Sequence, residues 1–113
     1  MPYRSDYILR LIEQLGMVIR RALERAGAKD AGEPYDVAGQ AIGLALGMDA
    51  TIATMLSPRS LASLLELAEL DPEALDLVAQ AIELKAEMLE AGGEDGAARF
   101  RRAQATAVRG KAG

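Results

Sequence analysis

The sequence predicts an all-α fold of about five helices, packed as antiparallel hairpins in one domain over residues 1–113. Apolar residues recur at three- and four-residue spacing along residues 6–26 and 72–91, as on the buried face of a helix. Proline follows a capping residue at Ser57-Pro58 and again at Asp71-Pro72, which is typical of a helix start. Alanine and leucine dominate the apolar residues and only 4% of the chain is aromatic, which favours helices over strands.

The first helix is predicted to begin with Ser5 or Asp6 as its N-cap and to end near Gly27. Its apolar stripe cannot remain in water, so the helix must pack against another surface. The stripe contains Ile8, Leu11, Ile12, Leu15, Val18, Ile19, Ala22, Leu23 and Ala26. Gly16 costs about 0.5–1 kcal/mol relative to alanine. We attribute it to a neighbouring backbone that comes close, with a surface position as the alternative.

A second helix is predicted after a loop at residues 28–33, with Pro34 in its first turn and an end near Met48. Gly39, Gly43 and Gly47 lie four residues apart on one face of it. Three glycines weaken a helix by roughly 2–3 kcal/mol in summed propensity, so tertiary packing must offset that cost. Close approach of another helix explains such spacing, either as a crossing within the chain or as a dimer seam.

The remaining helices follow from their start signals. Asp49 is expected to cap a short helical turn over residues 50–56, and Ser57 to cap a third helix. A fourth helix, from Pro72 to about Ala91, has so wide an apolar face that we expect it to be central, with the first helix laid across it.

A fifth helix is predicted after the Gly92-Gly93 stop, from Gly96 to about Arg109. Residues 110–113 are expected to fray. Its predicted buried face is small and consists of Ala97, Phe100, Ala103, Gln104 and Ala107.

The composition leaves little scope for catalysis, because the chain contains no cysteine and no histidine. It therefore has no thiol nucleophile, no imidazole base and no His/Cys zinc site. Glu83, Glu87 and Glu90 share one helix face. A metal site in a helical bundle also needs ligands from a facing helix, and the chain offers no histidine and no second inward pair of glutamates, so no metal site is expected. We predict that the chain is not an enzyme, has no catalytic residues and holds no cofactor.

The chain is expected to be cytoplasmic, since it has no cysteine, no visible secretory signal and no uncharged apolar stretch of about 18 residues. The formal net charge is −4, with basic residues concentrated near both ends and acidic residues between. This segregation indicates that basic end helices lie beside an acidic middle. The alternative is a basic patch for an acidic partner or nucleic acid, with Arg99, Arg101, Arg102 and Arg109 as the candidates.

The opening segment resembles the start of an uncharacterised bacterial family of small, tetratricopeptide-like all-helical proteins. The residues that carry this resemblance are Asp6, Tyr7, Ile8, Arg10, Ile12 and Glu13. The final hairpin is also similar to one tetratricopeptide unit, with Gly93 as the turn glycine, Phe100 as the aromatic residue and Ala103 as the small residue. The resemblance implies a tetratricopeptide-like helical bundle and brings no known activity.

The function predicted from these patterns is protein–protein interaction or self-association, with a homodimer possible. The candidate surface consists of Ile8, Leu11, Leu15 and Ile19 on the first helix and Gly39, Gly43 and Gly47 on the second. One alternative is an enzyme or small-ligand binder with a pocket between helices. The other is nucleic-acid binding through the basic terminal helices, which the few aromatic residues do not favour.

Overall fold

The computed structural model describes residues 6–26 and 35–112, and within these ranges the chain forms six helices and no strand. The helices are α1 (Asp6–Ala26), α2 (Val37–Leu46), α3 (Ala50–Ala53), α4 (Pro58–Ala68), α5 (Pro72–Ala91) and α6 (Asp95–Ala112). The all-α prediction is therefore confirmed, and α3 is the short turn expected after Asp49. The predicted roles of Ser5, Gly27 and Pro34 lie outside the described residues.

Side-chain caps start four of the helices, because the first backbone N–H groups of a helix have no partner within it. Asp49, Ser57 and Asp71 accept hydrogen bonds from backbone N–H groups at the starts of α3, α4 and α5, as predicted. Asp36 caps α2 by accepting from the Gly39 N–H at 3.1 Å. The second helix therefore begins at Val37, later than its predicted start at Pro34.

Helix α5 is the centre of the fold and packs against α1, α2 and α6. Its buried side chains cover two sides of the helix, as the wide apolar sector predicted. Leu75, Val78 and Ile82 are at most 7% exposed. Helix α1 lies against α5 and α2, and α4 packs on α6.

Helix α6 differs from its prediction in length and in orientation. It continues through residues 110–112, which were expected to fray, while Gly113 lies outside the described residues. Its buried residues are Ala98, Gln104, Ala105 and Val108. The predicted face was largely wrong, since Ala97, Phe100 and Ala103 are exposed. The reason is a buried polar network around Gln104, described below.

Candidate interaction surface

The predicted α1 surface is divided between the core and the outside. Leu11 and Leu15 are buried, at 3% and 0% exposure, together with Val18 and Ala22. Ile8 and Ile19 are only partly buried. Packing within the chain therefore takes up Leu11 and Leu15, and any contact with a second chain must use residues beside them.

A second line of residues on α1 lies next to the core-facing one, with exposed leucines at its ends and partly buried residues between them. We call it the α1 outer stripe, and it consists of Leu9, Ile12, Gly16, Ile19 and Leu23. The spacing alternates three and four residues, as at the a and d positions of a coiled-coil seam. Leu9 is 45% exposed and Leu23 is 56% exposed. Only Ile19 is shared with the surface predicted from the sequence.

Gly16 lies in the middle of this stripe and has open space beside it. A Cβ atom built on Gly16 would have nothing within 4 Å of it, leaving aside its own helix backbone and neighbouring residues. No close approach within the described chain explains this glycine, contrary to the interpretation we favoured from the sequence. The surface position, which was the alternative, is what the geometry gives.

The edge of α5 beside α1 carries a further apolar line. Leu77, Leu84 and Met88 are partly buried and share one face of α5. Asp76 and Glu83, which pair with α6, lie on the opposite side of the buried residues of α5. Since α1 packs on α5 and α2, we infer that these three residues lie on the edge of α5 nearer to α1.

The glycines of α2 serve contacts within the chain. A Cβ atom on Gly43 would lie 2.7 Å from the Met48 carbonyl oxygen, and one on Gly39 would lie 3.0 Å from the Ala50 carbonyl oxygen. Both glycines are buried, and both let the backbone at the start of α3 lie directly on α2. This arrangement matches the crossing within the chain that the sequence favoured.

Gly47 has a different role, at the end of α2. It adopts a left-handed conformation, with φ of 69°, and its N–H donates to the Gly43 carbonyl. Glycine takes up this conformation without the strain that a side chain would add. The three glycines therefore do not form one seam for a second chain.

Arg101 lies in a largely buried polar network rather than in a basic patch. Its guanidinium donates to the Thr54 carbonyl at 2.9 Å and to Gln104 Oε1 at 2.8 Å, and it also bonds Thr54 Oγ1. Gln104 is fully buried, and its Nε2 donates to the Leu56 carbonyl at 2.8 Å. The network joins α6 to the end of α3 and the loop after it.

The charge of Arg101 is held by a carboxylate of the α2 cap. Asp36 Oδ2 lies 3.8 Å from Arg101 Nη2, and the Arg101 side chain is only 12% exposed. Burial lowers the pKa of the Arg101 guanidinium, and Asp36 opposes that shift. Among the described residues, no buried side-chain nitrogen or oxygen lacks a hydrogen-bond partner.

Two other arginines of α6 pair with carboxylates of α5. Arg102 bonds Glu90, and Arg109 bonds both Asp76 and Glu83. Arg102 donates a hydrogen bond to Glu90 and Arg109 donates one to Glu83, and these bonds raise the pKa of the two guanidinium groups. This confirms, for α6, that a basic end helix lies beside the acidic middle. Of the four candidates, Arg99 is exposed and has no ion pair recorded in the described ranges.

The pairing of Asp76 makes the fold sensitive to acid. Hydrogen bonds from Arg109 and Gln80 hold the pKa of Asp76 below its ordinary value of 3.8. The stabilisation is therefore complete above that value and is lost as pH falls through the lowered pKa. We expect the free energy of unfolding to fall with acidification below about pH 4 and to fall less steeply in Asp76→Asn.

Urea unfolding at a series of pH values measures this slope. At neutral pH Asp76→Asn should cost at most about 1 kcal/mol, because the ion pair is exposed. Equal slopes in the two proteins would show that the pairing of Asp76 does not contribute.

Two of the grooves between the helices lie beside α2 and contain few ionisable side chains. One of about 240 Å³ lies between α1 and α2, and another of about 340 Å³ lies beside Gly43 and Gly47. Among the residues described, neither is lined by a carboxylate, serine, threonine or lysine.

Within the described ranges, no group of three or more carboxylates is placed to hold a metal ion. No helix there is both long and apolar enough to cross a membrane.

The buried Lys85 is the remaining polar group inside the fold, and sequence reasoning did not single it out. It is 9% exposed, and its Nζ lies 3.4 Å from the Tyr35 carbonyl oxygen. This weak contact joins the chain that enters α2 to the central helix. It is not accompanied by a catalytic partner among the described residues.

Comparison with known proteins gave no relative, since no family model, curated protein or solved structure matches the chain. The resemblance at residues 6–13 and the tetratricopeptide likeness of the last hairpin therefore stay predictions. Gly93 does occupy the turn, with φ of 80°. Phe100 and Ala103 are exposed, so they do not fill the buried places that such a unit would give them.

Proposed function

We propose that the chain is a non-catalytic association module that binds a protein chain through the α1 outer stripe and the bordering edge of α5. The observation that carries the proposal is the alternating three- and four-residue spacing of Leu9, Ile12, Gly16, Ile19 and Leu23, in which both end residues are exposed and the three between them are partly exposed. Single exposed apolar residues occur on most proteins and need no explanation. Five positions in one line along a 21-residue helix form a seam that a second helix fits.

The energetic argument concerns the two ends of this line, because Ile12 and Ile19 are partly buried against the core whereas Leu9 and Leu23 are about half exposed. Leu11, Leu15, Val18 and Ala22 already attach α1 to the core. Fully burying one exposed leucine stabilises a complex by roughly 1.5–3 kcal/mol. Folding leaves Leu9 and Leu23 partly exposed, so their burial against a partner would contribute further to the free energy of association.

Neither alternative function is favoured by a comparable observation. Arg101, Arg102 and Arg109 are engaged within the chain, so they do not supply a free basic surface for phosphates. An enzyme would need a nucleophile or an acid–base pair in a cleft, and neither of the two grooves beside α2 is lined by a carboxylate, serine, threonine or lysine.

The proposal is tested by replacing the two most exposed residues of the α1 outer stripe with glutamate. Leu9→Glu combined with Leu23→Glu should abolish association while leaving helix content and the unfolding midpoint nearly unchanged, since both side chains are about half in water. Leu67→Glu is the matched control, because Leu67 is 79% exposed and lies on α4.

The measurements are native mass and co-purification of a partner from the native cell, compared for the wild type and both variants. Association that persists in the double variant, or that Leu67→Glu removes equally, would contradict the proposal.

A further inference from the structure

We propose that the partner at the α1 outer stripe is a second copy of this chain, with the two α1 helices packed antiparallel about Gly16. The inference rests on the proposed function and goes beyond it by naming the partner and its register. Three observations carry it: the open space at Gly16, the order of the large residues around it, and two flanking charges of opposite sign.

The register follows from the layers of the seam. In an antiparallel pair of helices, an a position of one chain packs opposite a d position of the other. If Gly16 faces the partner's Ile19, then Ile12 faces the partner's Leu23, and the twofold axis repeats both layers. Each layer then pairs side chains of compatible size. In the Gly16 layer, the isoleucine side chain of the partner occupies the open space beside the glycine.

The charges beside the seam agree with this register. Glu13 and Arg20 follow Ile12 and Ile19 directly, both are exposed, and both occupy the e position of the repeat. In an antiparallel pair, e positions of the two chains face each other. The same register places Glu13 beside the partner's Arg20, and symmetry gives the pair twice. Within the described ranges neither side chain has an ion pair of its own recorded, so both remain available.

A parallel arrangement of the two α1 helices would neither fill the space at Gly16 nor pair the charges of Glu13 and Arg20. It would place Gly16 opposite the partner's Gly16 and leave a gap at the centre of the seam. It would also direct Glu13 and Arg20 towards the g positions, which are Ile8 and Leu15, so the charges would have no counterpart. Only the antiparallel register gives a filled centre and opposite charges together.

The edge of α5 completes the surface. Leu77, Leu84 and Met88 are partly buried on the edge of α5 that we place nearer to α1, so a partner helix on α1 would also cover part of them. Four layers, two of which contain a glycine, form a short seam, and we expect a dissociation constant on the order of micromolar.

Charge exchange tests the partner and the register together. Glu13→Arg and Arg20→Glu alone should each raise the dimer dissociation constant at least about tenfold, because like charges then meet twice. The double variant Glu13→Arg/Arg20→Glu should return to within about threefold of the wild type, because the pairs are restored with exchanged sign. Arg59→Glu makes the same charge change on the exposed face of α4 and should have no effect.

Sedimentation equilibrium at low salt measures all five proteins, with circular dichroism to verify the fold. Recovery in the double variant supports the antiparallel dimer, whereas equal dimerisation in all five proteins overturns it. A wild type that is monomeric at every concentration also overturns it. In that case the proposed function still stands if Leu9→Glu/Leu23→Glu, and not Leu67→Glu, abolishes binding of a co-purifying protein.

Discussion

Replacing Arg101 with methionine should lower the free energy of unfolding by about 2–4 kcal/mol. The substitution keeps much of the side-chain length and removes the donor to the Thr54 carbonyl and to Gln104 Oε1. Gln104 is fully buried, so its oxygen cannot turn to water without a change in packing. Asp36 would also lose the only cation recorded near it among the described residues.

Urea unfolding followed by circular dichroism measures this loss. Arg99→Met is the control, because Arg99 is an exposed arginine on the same helix, and its effect should stay within about 0.5 kcal/mol. If Arg101→Met unfolds at the wild-type urea concentration, then the network does not stabilise the attachment of α6. Since Arg101 is structural, Arg99 and Arg102 are the better positions for any charge-reversal test of nucleic-acid binding.

Alanine at two glycines should give effects of opposite sign. Gly43→Ala should cost about 1–3 kcal/mol, because its Cβ would lie 2.7 Å from the Met48 carbonyl, a backbone atom that cannot move alone. Gly16→Ala should stabilise the folded monomer by about 0.5–1 kcal/mol, because alanine favours the helix and meets no atom of the chain.

The two variants are compared by urea unfolding at a protein concentration low enough to keep the chain monomeric, since dimerisation raises apparent stability. A neutral or stabilising Gly43→Ala would contradict the close contact of α2 with the start of α3. A destabilising Gly16→Ala would show that Gly16 has a neighbour within the chain.

The helix starts could be predicted because they depend on local chemistry. Ser57 and Asp71 cap α4 and α5 through backbone N–H groups two or three residues away, so the signal lies within one turn of chain. The central place of α5 was also visible, because its apolar residues cover more than one face. These features can be predicted without knowing which helices contact each other in the fold.

The face of α6 could not be predicted from periodicity. The pattern assumed that Phe100 would be buried, whereas Gln104 is buried and Phe100 is 38% exposed. A buried glutamine becomes acceptable only when Arg101 and the Leu56 carbonyl complete its hydrogen bonds. Arg101 lies within one helical turn of Gln104, but Leu56 is 48 residues away along the chain, so that partner cannot be inferred from local sequence.

The division of α1 into two apolar lines was also missed, although a signal was present. The apolar arc is too wide for one neighbour, and Leu9 with Leu23 completes a regular three–four spacing at its edge. Gly16 was assigned to a close contact within the chain because a helix glycine usually marks one. Only the structure shows that a Cβ atom on Gly16 would meet no neighbouring atom of the described chain.

The native molecular mass is the most direct test of the claim that the α1 outer stripe joins two chains. Sedimentation equilibrium of the full chain over about a hundredfold range of concentration should show the mass rising with concentration. The account predicts a rise from 12.0 kDa towards twice that value, and a return to 12.0 kDa in Leu9→Glu/Leu23→Glu. A wild-type mass of 12.0 kDa across the whole range would contradict it.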